Sequence, residues 1–490
     1  MSSPYFLTPI KTRFLFRPRW EGSAGLRELL LMSLPLLISG LSAVINLFFD
    51  RVFLGWYDLK HHMNASITAG LMWWTAQMLF NGIAGYVATF VAQYTGAKRD
   101  QRVGAILWQG IYACFFGAII VLALHPLLHR VLITLYDDPL FIKLCSDYIW
   151  ILSLGVFFLL FNCMMIGFFS TLGKTRYVIE VSFLVTVVNI GLNYWFIFTP
   201  PAVLPFIQPG VVGAAWATSI SFVVGSFFFI LLLIESGLHT RFHIKPFGAL
   251  EPQLFWRLIR FGLPSGSAHF VEVLTFTLFI MVLGKMDPIK LGAANMAFTV
   301  NNLVFVPLMS ISQAVTILVG TYIGAKKLRH AMRVPYLAIL SGACTLTFVA
   351  LSYVLIPGMY VEIFRDHGDS GLQNPQDFAL MADQLRFYLI FMALYCFGDL
   401  FQLVLGGALR GAGDTTFCFQ MTTLCSIFFI ALPSYMALNH GWPDWSMFAS
   451  IAIYVYVLTV AYLIRYKTGI WQSISMMEPE PAFLTKEFAP

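Results

Sequence analysis

The sequence LLLMSLPLLISGLSAVINLFF, residues 29–49, contains no charged side chain. As an α-helix rising about 1.5 Å per residue, it is about 30 Å long, which matches the hydrocarbon core of a lipid bilayer. Comparable apolar runs recur along the chain. They do not alternate between polar and apolar residues, and they are longer than the roughly ten-residue strands of a membrane β-barrel. We therefore predict helices that span a membrane.

The composition of the whole chain supports this prediction. Of the 490 residues, 59% are hydrophobic and only 11% are charged. Soluble domains usually contain about 45–50% apolar and about 25% charged residues. The sequence also lacks the polar linkers that join soluble domains. This excludes a cytosolic enzyme, a disordered scaffold and a secreted disulfide-rich protein, and it favours an all-α polytopic membrane protein.

The apolar runs predict twelve transmembrane helices. Their predicted limits are 29–56, 65–96, 103–135, 141–170, 177–198, 211–235, 253–284, 291–324, 331–364, 378–410, 417–438 and 444–465. Most of the 30 lysine and arginine residues lie in the segments that share one side with the N-terminus, and Arg410 is counted with them. Because basic loops stay in the cytoplasm, both termini are predicted to be cytoplasmic. We expect a multi-pass protein of the bacterial inner (plasma) membrane.

The chain repeats itself. Leu34-Pro35 recurs as Leu263-Pro264, and Gly96-Ala97-Lys98 recurs as Gly324-Ala325-Lys326 at nearly the same offset. Matches that keep the same order at a nearly constant offset predict two six-helix lobes. Six crossings return the chain to the same side of the membrane, so the two lobes have the same orientation and are parallel repeats. The predicted parts are a basic N-terminal arm (1–28), an N-terminal lobe (29–235), a cytoplasmic linker (236–252), a C-terminal lobe (253–465) and a cytoplasmic tail (466–490).

Two carboxylates lie inside predicted helices of the C-terminal lobe. Glu272 is in the seventh helix, with His269 three residues before it, and Asp399 is in the tenth helix, with Tyr395 and Gln402 on its face. A charge at the bilayer centre costs about 2.5–3.5 kcal/mol on insertion scales, so such residues face a partner or a cavity. A carboxylate beside an aromatic ring is suited to a hard cation or an organic cation. The alternative is a structural hydrogen bond between helices.

A second polar group lies in the N-terminal lobe. Asp50 is late in the first helix and is followed by Arg51, which either points to the interface or keeps Asp50 ionised by its charge. Asn189 and Asn193 are four residues apart in the fifth helix and share a face. Two carboxamides on one face line a polar cavity or bond to a neighbouring helix.

Several motifs together resemble the multidrug and toxic compound extrusion (MATE) family. They are LPLLISGLSAVINLFFDRVFLG, FVAQYTGAK, GFFSTLGKTR, GVVGAAWATSI and GALRGAGDTT, in this order along the chain. The resemblance implies two six-helix lobes and export of cationic amphiphiles in exchange for Na⁺ or H⁺. Glu272, Asp399 and Tyr395 resemble the cation site of the sodium-coupled bacterial branch. Asp50, Asn189 and Asn193 resemble a second polar cluster, and Arg51 departs from the family pattern.

The sequence therefore predicts a secondary antiporter that exports organic cations or amphiphilic drugs. Glu272, Asp399 and Asp50 are expected to couple to the cation, with Glu272 and Asp399 as ligands if the ion is Na⁺; Tyr395, Asn189, Asn193, Gln402 and His269 are expected to line the site. We expect no enzyme activity and no cofactor beyond the coupling ion, because no P-loop or hydrolase motif is present. We also expect a monomer that binds no nucleic acid. The alternatives are a lipid-linked oligosaccharide flippase, which needs a basic cavity, and a channel.

Overall fold

The computed structural model describes residues 20–199, 207–245, 247–286, 288–363, 375–440, 442 and 445–478. These residues form twelve long helices and, within the described ranges, no strand. The helices are α1 (Leu26–Asp58), α2 (Asn64–Gly96), α3 (Asp100–Leu135), α4 (Pro139–Thr171), α5 (Thr175–Phe198), α6 (Val211–Glu235), α7 (Pro252–Met286), α8 (Pro288–Gly324), α9 (Leu328–Leu355), α10 (Pro375–Ala412), α11 (Thr415–His440) and α12 (Trp445–Thr468). Residues 1–19 of the predicted N-terminal arm and 479–490 of the tail lie outside the described ranges.

Eleven of these helices are long and apolar enough to cross a membrane, which confirms the predicted class of protein. The remaining long helix, α2, contains more glycine, threonine and amide side chains, and its second half is almost entirely buried by other helices. A helix that is covered by protein on all sides does not need a lipid-facing surface. The polar composition of α2 is therefore consistent with a central position in the bundle.

The predicted ninth span, 331–364, is wrong in its second part. Helix α9 ends at Leu355, and a separate short helix runs over Pro357–Ile363. Proline disfavours the helical conformation of the residue before it and has no N–H to continue the hydrogen-bond ladder. Pro357 therefore ends α9 at this position, although the sequence stays apolar on both sides of it.

The two halves of the chain pack in the same way. Helix α1 packs on α5 as α7 packs on α11, α2 packs on α4 as α8 packs on α10, and α4 packs on α6 as α10 packs on α12. This repetition confirms the prediction of two six-helix lobes. We call α1–α6 the N-lobe and α7–α12 the C-lobe; the residue limits given above for each part remain predictions.

Helices α1 and α7 each belong to both lobes. In α1, Leu29 and Leu36 lie in the apolar core of the C-lobe, whereas Phe53 and Leu54 lie in the core of the N-lobe. Helix α7 shows the reverse arrangement, since Leu254 and its first turns lie in the N-lobe core and its last turns lie in the C-lobe core. The lobes are therefore connected by two helices that cross from one to the other.

The lobes contact each other at one end of the bundle. We call it the terminal face, because the start of α1, the turns 97–99, 325–327 and 413–414, and the segment after α12 lie there. The Glu28 carboxylate accepts a hydrogen bond of 2.6 Å from the Tyr322 hydroxyl, which joins the start of α1 to α8. The Tyr86 hydroxyl donates to the Arg410 carbonyl at 2.7 Å, and Gln93 Nε2 donates to the Gly411 carbonyl at 3.1 Å, which joins α2 to α10. The terminal face is thus closed between the lobes.

Candidate cation and substrate site

The C-lobe holds a carboxylate with two polar partners. Glu272 projects from α7, and His269 Nδ1, one turn earlier, lies 3.4 Å from Glu272 Oε2. Gln402 Nε2 on α10 donates to Glu272 Oε1, also at 3.4 Å. These are long hydrogen bonds, and the Glu272 side chain stays 29% exposed. The carboxylate is therefore held in place while part of it remains accessible.

Asp399 lies beside this carboxylate on α10. Its side chain is buried, accepts a hydrogen bond from the Tyr395 hydroxyl, and repels Glu272 electrostatically. Two like charges near each other away from water are unfavourable unless a proton or another cation neutralises them. The donor set of two carboxylates, one amide and one phenol offers oxygen ligands of the type that hard cations prefer. The structure thus places Glu272, Asp399, Tyr395, Gln402 and His269 near one another, and their role in cation binding stays a prediction.

Sequence reasoning missed two residues of this region. Tyr454 on α12 is buried and interacts electrostatically with both carboxylates. Arg410, the last residue of the predicted span 378–410, was counted with the basic residues on the side of the N-terminus. It is only 8% exposed and lies inside α10, and its Nη2 donates to Ser312 Oγ at 3.3 Å. Helix α10 continues two residues past the predicted limit to Ala412, so the Arg410 guanidinium lies inside the bundle and not at its edge. Arg410 also acts electrostatically on Glu272, so the C-lobe interior is not purely acidic.

The N-lobe holds the second predicted cluster. Asn193 Nδ2 donates to Asp50 Oδ1, and also to Asn189 Oδ1 at 3.0 Å. Asn189 Nδ2 in turn donates to Thr218 Oγ1 on α6 at 3.3 Å. The network joins α1, α5 and α6, and Asp50, Asn189 and Asn193 are all buried. Among the described residues, nothing donates to Asn193 Oδ1, which leaves one buried acceptor open to a ligand or a water molecule.

Arg51 does not enter this network as a hydrogen-bonding partner of the asparagines. Its side chain is exposed, and it acts on the buried Asp50 through its charge. Asp50 is buried and Arg51 is exposed because consecutive side chains of a helix point about 100° apart. Arg51 therefore leaves the Asp50 carboxylate available to α5.

Both clusters lie beyond the closed terminal face. A Cβ atom added to Gly82 on α2 would lie 2.9 Å from the Gly266 nitrogen on α7, so the two backbones touch at this point. Glu272 follows Gly266 by less than two helical turns. Asp50 lies in the last quarter of α1, far from the end that contacts Tyr322. We call the packed surface between the lobes, which includes the contact of Gly82 with Gly266, the seam. The seam separates the polar clusters from the terminal face.

Two pseudo-symmetric lobes of membrane-spanning helices, each with a polar cluster in its interior, define the architecture of a secondary transporter. The sequence model of the family described as MatE matches residues 35–195 and 264–436, which is more than half of the chain. The chain belongs to this family. It is a transporter and not an enzyme.

Two relatives and one solved structure illustrate the similarity. The chain is 27% identical over 417 residues to a "Probable multidrug resistance protein NorM" of Bacillus licheniformis, covering 83% of this chain and 87% of that protein. It is 25% identical over 425 residues to the "Multidrug resistance protein MdtK" of Yersinia enterocolitica, covering 84% and 86%. Its fold is similar to a structure described as an "Outward-facing conformation of a multidrug resistance MATE family transporter of the MOP superfamily", with a TM-score of 0.81 at 16% identity over 96% of this chain and 100% of that one.

Proposed function

We propose that this protein is an antiporter that exports organic cations in exchange for Na⁺ or H⁺. The observation that carries the proposal is the pair Glu272 and Asp399, which come from two helices and repel each other inside the C-lobe. Relatives in the family are named multidrug resistance proteins, which supports an amphiphilic small molecule as the cargo.

The carboxylate pair gives a physical reason for exchange. One bound cation relieves the repulsion between Glu272 and Asp399, and a second cation then gains less from the same site. The coupling ion and the cargo cation therefore compete, and each favours release of the other. Carboxylates bind Na⁺ and H⁺ alike, so both ions remain candidates for the coupling role.

The N-lobe cluster supplies a complementary polar surface in this proposal. Asp50 is fixed by Asn193, and the open acceptor Asn193 Oδ1 offers a hydrogen-bonding position to a cargo molecule. Asp50 adds one negative charge in the other lobe, so a cation between the lobes is attracted from both sides. Movement of the lobes then changes which side of the membrane reaches these groups.

The proposed orientation places the terminal face in the cytoplasm of a bacterial cell. Lys98, Lys174, Lys326 and Arg329 lie at this end of the bundle, and basic loops remain on the cytoplasmic side. The closed seam then separates the clusters from the cytoplasm in the observed conformation. The repeated lobes enclose the clusters within one chain, so we propose that a monomer carries out transport.

The test measures the resistance to cationic drugs of cells that express the Glu272→Gln or the Asp399→Asn variant. Each variant keeps the shape of the side chain and removes its charge, so we expect loss of export at unchanged expression. Matched controls are Glu180→Gln on α5 and Asp383→Asn on α10, whose side chains are 43% and 73% exposed and form surface ion pairs. Surface pairs of this kind are worth about 0–1 kcal/mol, so the controls should keep resistance.

The outcomes separate the candidate functions. Full resistance in both Glu272→Gln and Asp399→Asn cells would exclude the carboxylate pair as the coupling site. Stimulation of lipid-linked oligosaccharide flipping by the purified protein, without drug export, would instead support the flippase alternative.

A further inference from the structure

The chain continues after α12 as a strap, residues 469–478, which starts on the C-lobe. Trp471 is only 1% exposed, and its Nε1 donates to the Tyr466 carbonyl at 2.9 Å. The Trp471 and Tyr466 rings stack with centroids 5.2 Å apart. A buried tryptophan with its N–H satisfied is a strong anchor, so the start of the strap moves with α12.

The middle of the strap inserts between the lobes. Met476 is 1% exposed, and its Sδ accepts from Gln93 Nε2 at 3.1 Å on α2. Its Sδ also lies 3.6 Å from the Tyr86 hydroxyl. Gly413, in the turn after α10, lies on the other side of this methionine: a Cβ atom added there would be 2.7 Å from Met476 Cγ. Met476 therefore covers the two hydrogen bonds that close α2 on α10.

The end of the strap is held by a basic surface at the start of α3. Arg102 binds the Glu478 carboxylate through Nε at 3.1 Å and also through Nη2, and its Nη1 binds Glu251 at 2.9 Å. Arg99 Nη1 donates to the Glu478 carbonyl at 2.9 Å. A guanidinium that grips a carboxylate with two nitrogens gives a directional, charge-assisted contact.

A third arginine completes the surface from α7. Arg257 Nη1 donates to the Met476 carbonyl at 3.1 Å. Arg257 also lines a cavity of about 410 Å³ beside the strap, together with Gly413 and Ser475. The first turns of α7 pack in the N-lobe core, so this contact also ties the strap to that side of the seam.

We infer that the strap is an intramolecular latch, which docks on the surface formed by Arg99, Arg102 and Arg257 and holds the terminal face closed. The strap is anchored on the C-lobe through Trp471 and bound to the N-lobe through Met476 and Glu478. Separation of the lobes at this face must break the second set of contacts and leaves the first intact. Release of the strap therefore accompanies opening of the terminal face. The inference rests on the proposed alternating movement of the lobes.

The test measures the distance between the lobes at the terminal face, without any transport. Spin labels are attached to Lys174→Cys on the N-lobe and Arg329→Cys on the C-lobe, both exposed, and the exposed Cys344 is replaced by serine. Double electron–electron resonance of the purified full chain in lipid nanodiscs then reports the ratio of short to long distances between the two spin labels. We expect Glu478→Gln and Met476→Ser each to shift this ratio toward long distances by about fivefold, equal to about 1 kcal/mol.

The matched control is Arg176→Gln, which removes an ion pair with Glu180 on the same face but within one helix. This variant should leave the distances unchanged. An unchanged ratio in both strap variants, or an equal shift in the control, would overturn the latch. A lower melting temperature with unchanged distances would also overturn it, because the strap would then have a purely structural role. Because the distances are measured without cargo or a gradient, the result is independent of whether Glu272 and Asp399 couple the cation.

Discussion

The contact between Gly82 and Gly266 gives a sharp prediction about opening of the seam. An alanine at Gly82 would place its Cβ atom 2.9 Å from the Gly266 nitrogen and closer still to the Gly266 Cα. Ordinary Cβ contacts lie at 3.4–4 Å. The neighbouring atoms are backbone and cannot rotate away, so α2 and α7 must move apart to accept the methyl group.

The structure allows the size of this effect to be estimated. Overpacking of a close contact costs about 1–3 kcal/mol when the surroundings cannot relax. Only the conformation in which α2 touches α7 has this cost. The Gly82→Ala variant should therefore favour the conformation open at the terminal face by about 5-fold to 150-fold over the wild-type protein.

The distance between labels at Lys174→Cys and Arg329→Cys measures this change directly. Gly191→Ala on α5 is the matched control, because a Cβ atom at Gly191 meets no atom within 4 Å. Both substitutions raise the intrinsic helix propensity by about 1 kcal/mol, and this gain is the same in both conformations. If Gly82→Ala gives the wild-type distances, the close α2–α7 contact does not govern closure and the reasoning fails.

Two further predictions concern the opposite end of the bundle. Asn193→Ala removes a hydrogen-bond donor from the buried Asp50 carboxylate, so the apparent melting temperature should drop by the equivalent of about 1–3 kcal/mol. The control Asn439→Ala changes an exposed side chain and should have no effect. Equal melting temperatures of the two variants would contradict the role of this network. Burial lowers the pKa of His62 below its usual 6.5, and neutral His62 Nδ1 accepts from the Val211 N–H at 3.0 Å. This hydrogen bond forms while the His62 ring is neutral and is lost when the ring is protonated as the pH falls. The melting temperature should therefore decrease between about pH 7 and about pH 5, and by more in the wild-type protein than in His62→Gln. Identical pH profiles would show that His62 does not contribute.

Much of the architecture was predictable because it depends on local patterns. Uncharged runs as long as residues 29–49 have no stable alternative to a spanning helix in a membrane. The repeat of Leu34-Pro35 and Leu263-Pro264 indicated two lobes, and the shared packing of the two halves confirms it. The end of α9 was missed because hydropathy remains high across Pro357, and only the proline marks the break.

The site was predictable in part for the same reason. His269 and Glu272 are neighbours along one helix, so their contact follows from spacing alone. The link from Gln402 to Glu272 joins α10 to α7; spacing placed Gln402 on the face of Asp399 but did not predict this contact. The network from Asp50 to Asn193 joins α1 to α5, and these two residues were grouped through the resemblance to a family. The burial of Arg410 was missed because Arg410 is the last residue of its predicted span, where sequence does not distinguish a buried guanidinium from an exposed one. Tyr454 carries no local signal, since tyrosine is common in this chain.

The contacts of the strap could not be predicted from the sequence. Residues 469–478 are mixed in polarity and follow the last helix, which suggests a plain tail. Its partners, Tyr86, Gln93 and Arg102, are more than 370 residues away along the chain. Contacts of this range depend on how the lobes meet, and they become visible only in the folded molecule.

The central claim is that Glu272 and Asp399 couple a cation to export. It is tested most directly by efflux of the fluorescent organic cation ethidium from proteoliposomes, driven by a Na⁺ gradient and, separately, by a pH gradient. We predict efflux with at least one of the two gradients in the wild-type protein and none in Glu272→Gln or Asp399→Asn. Efflux that needs neither gradient, or that persists in both variants, would contradict the account.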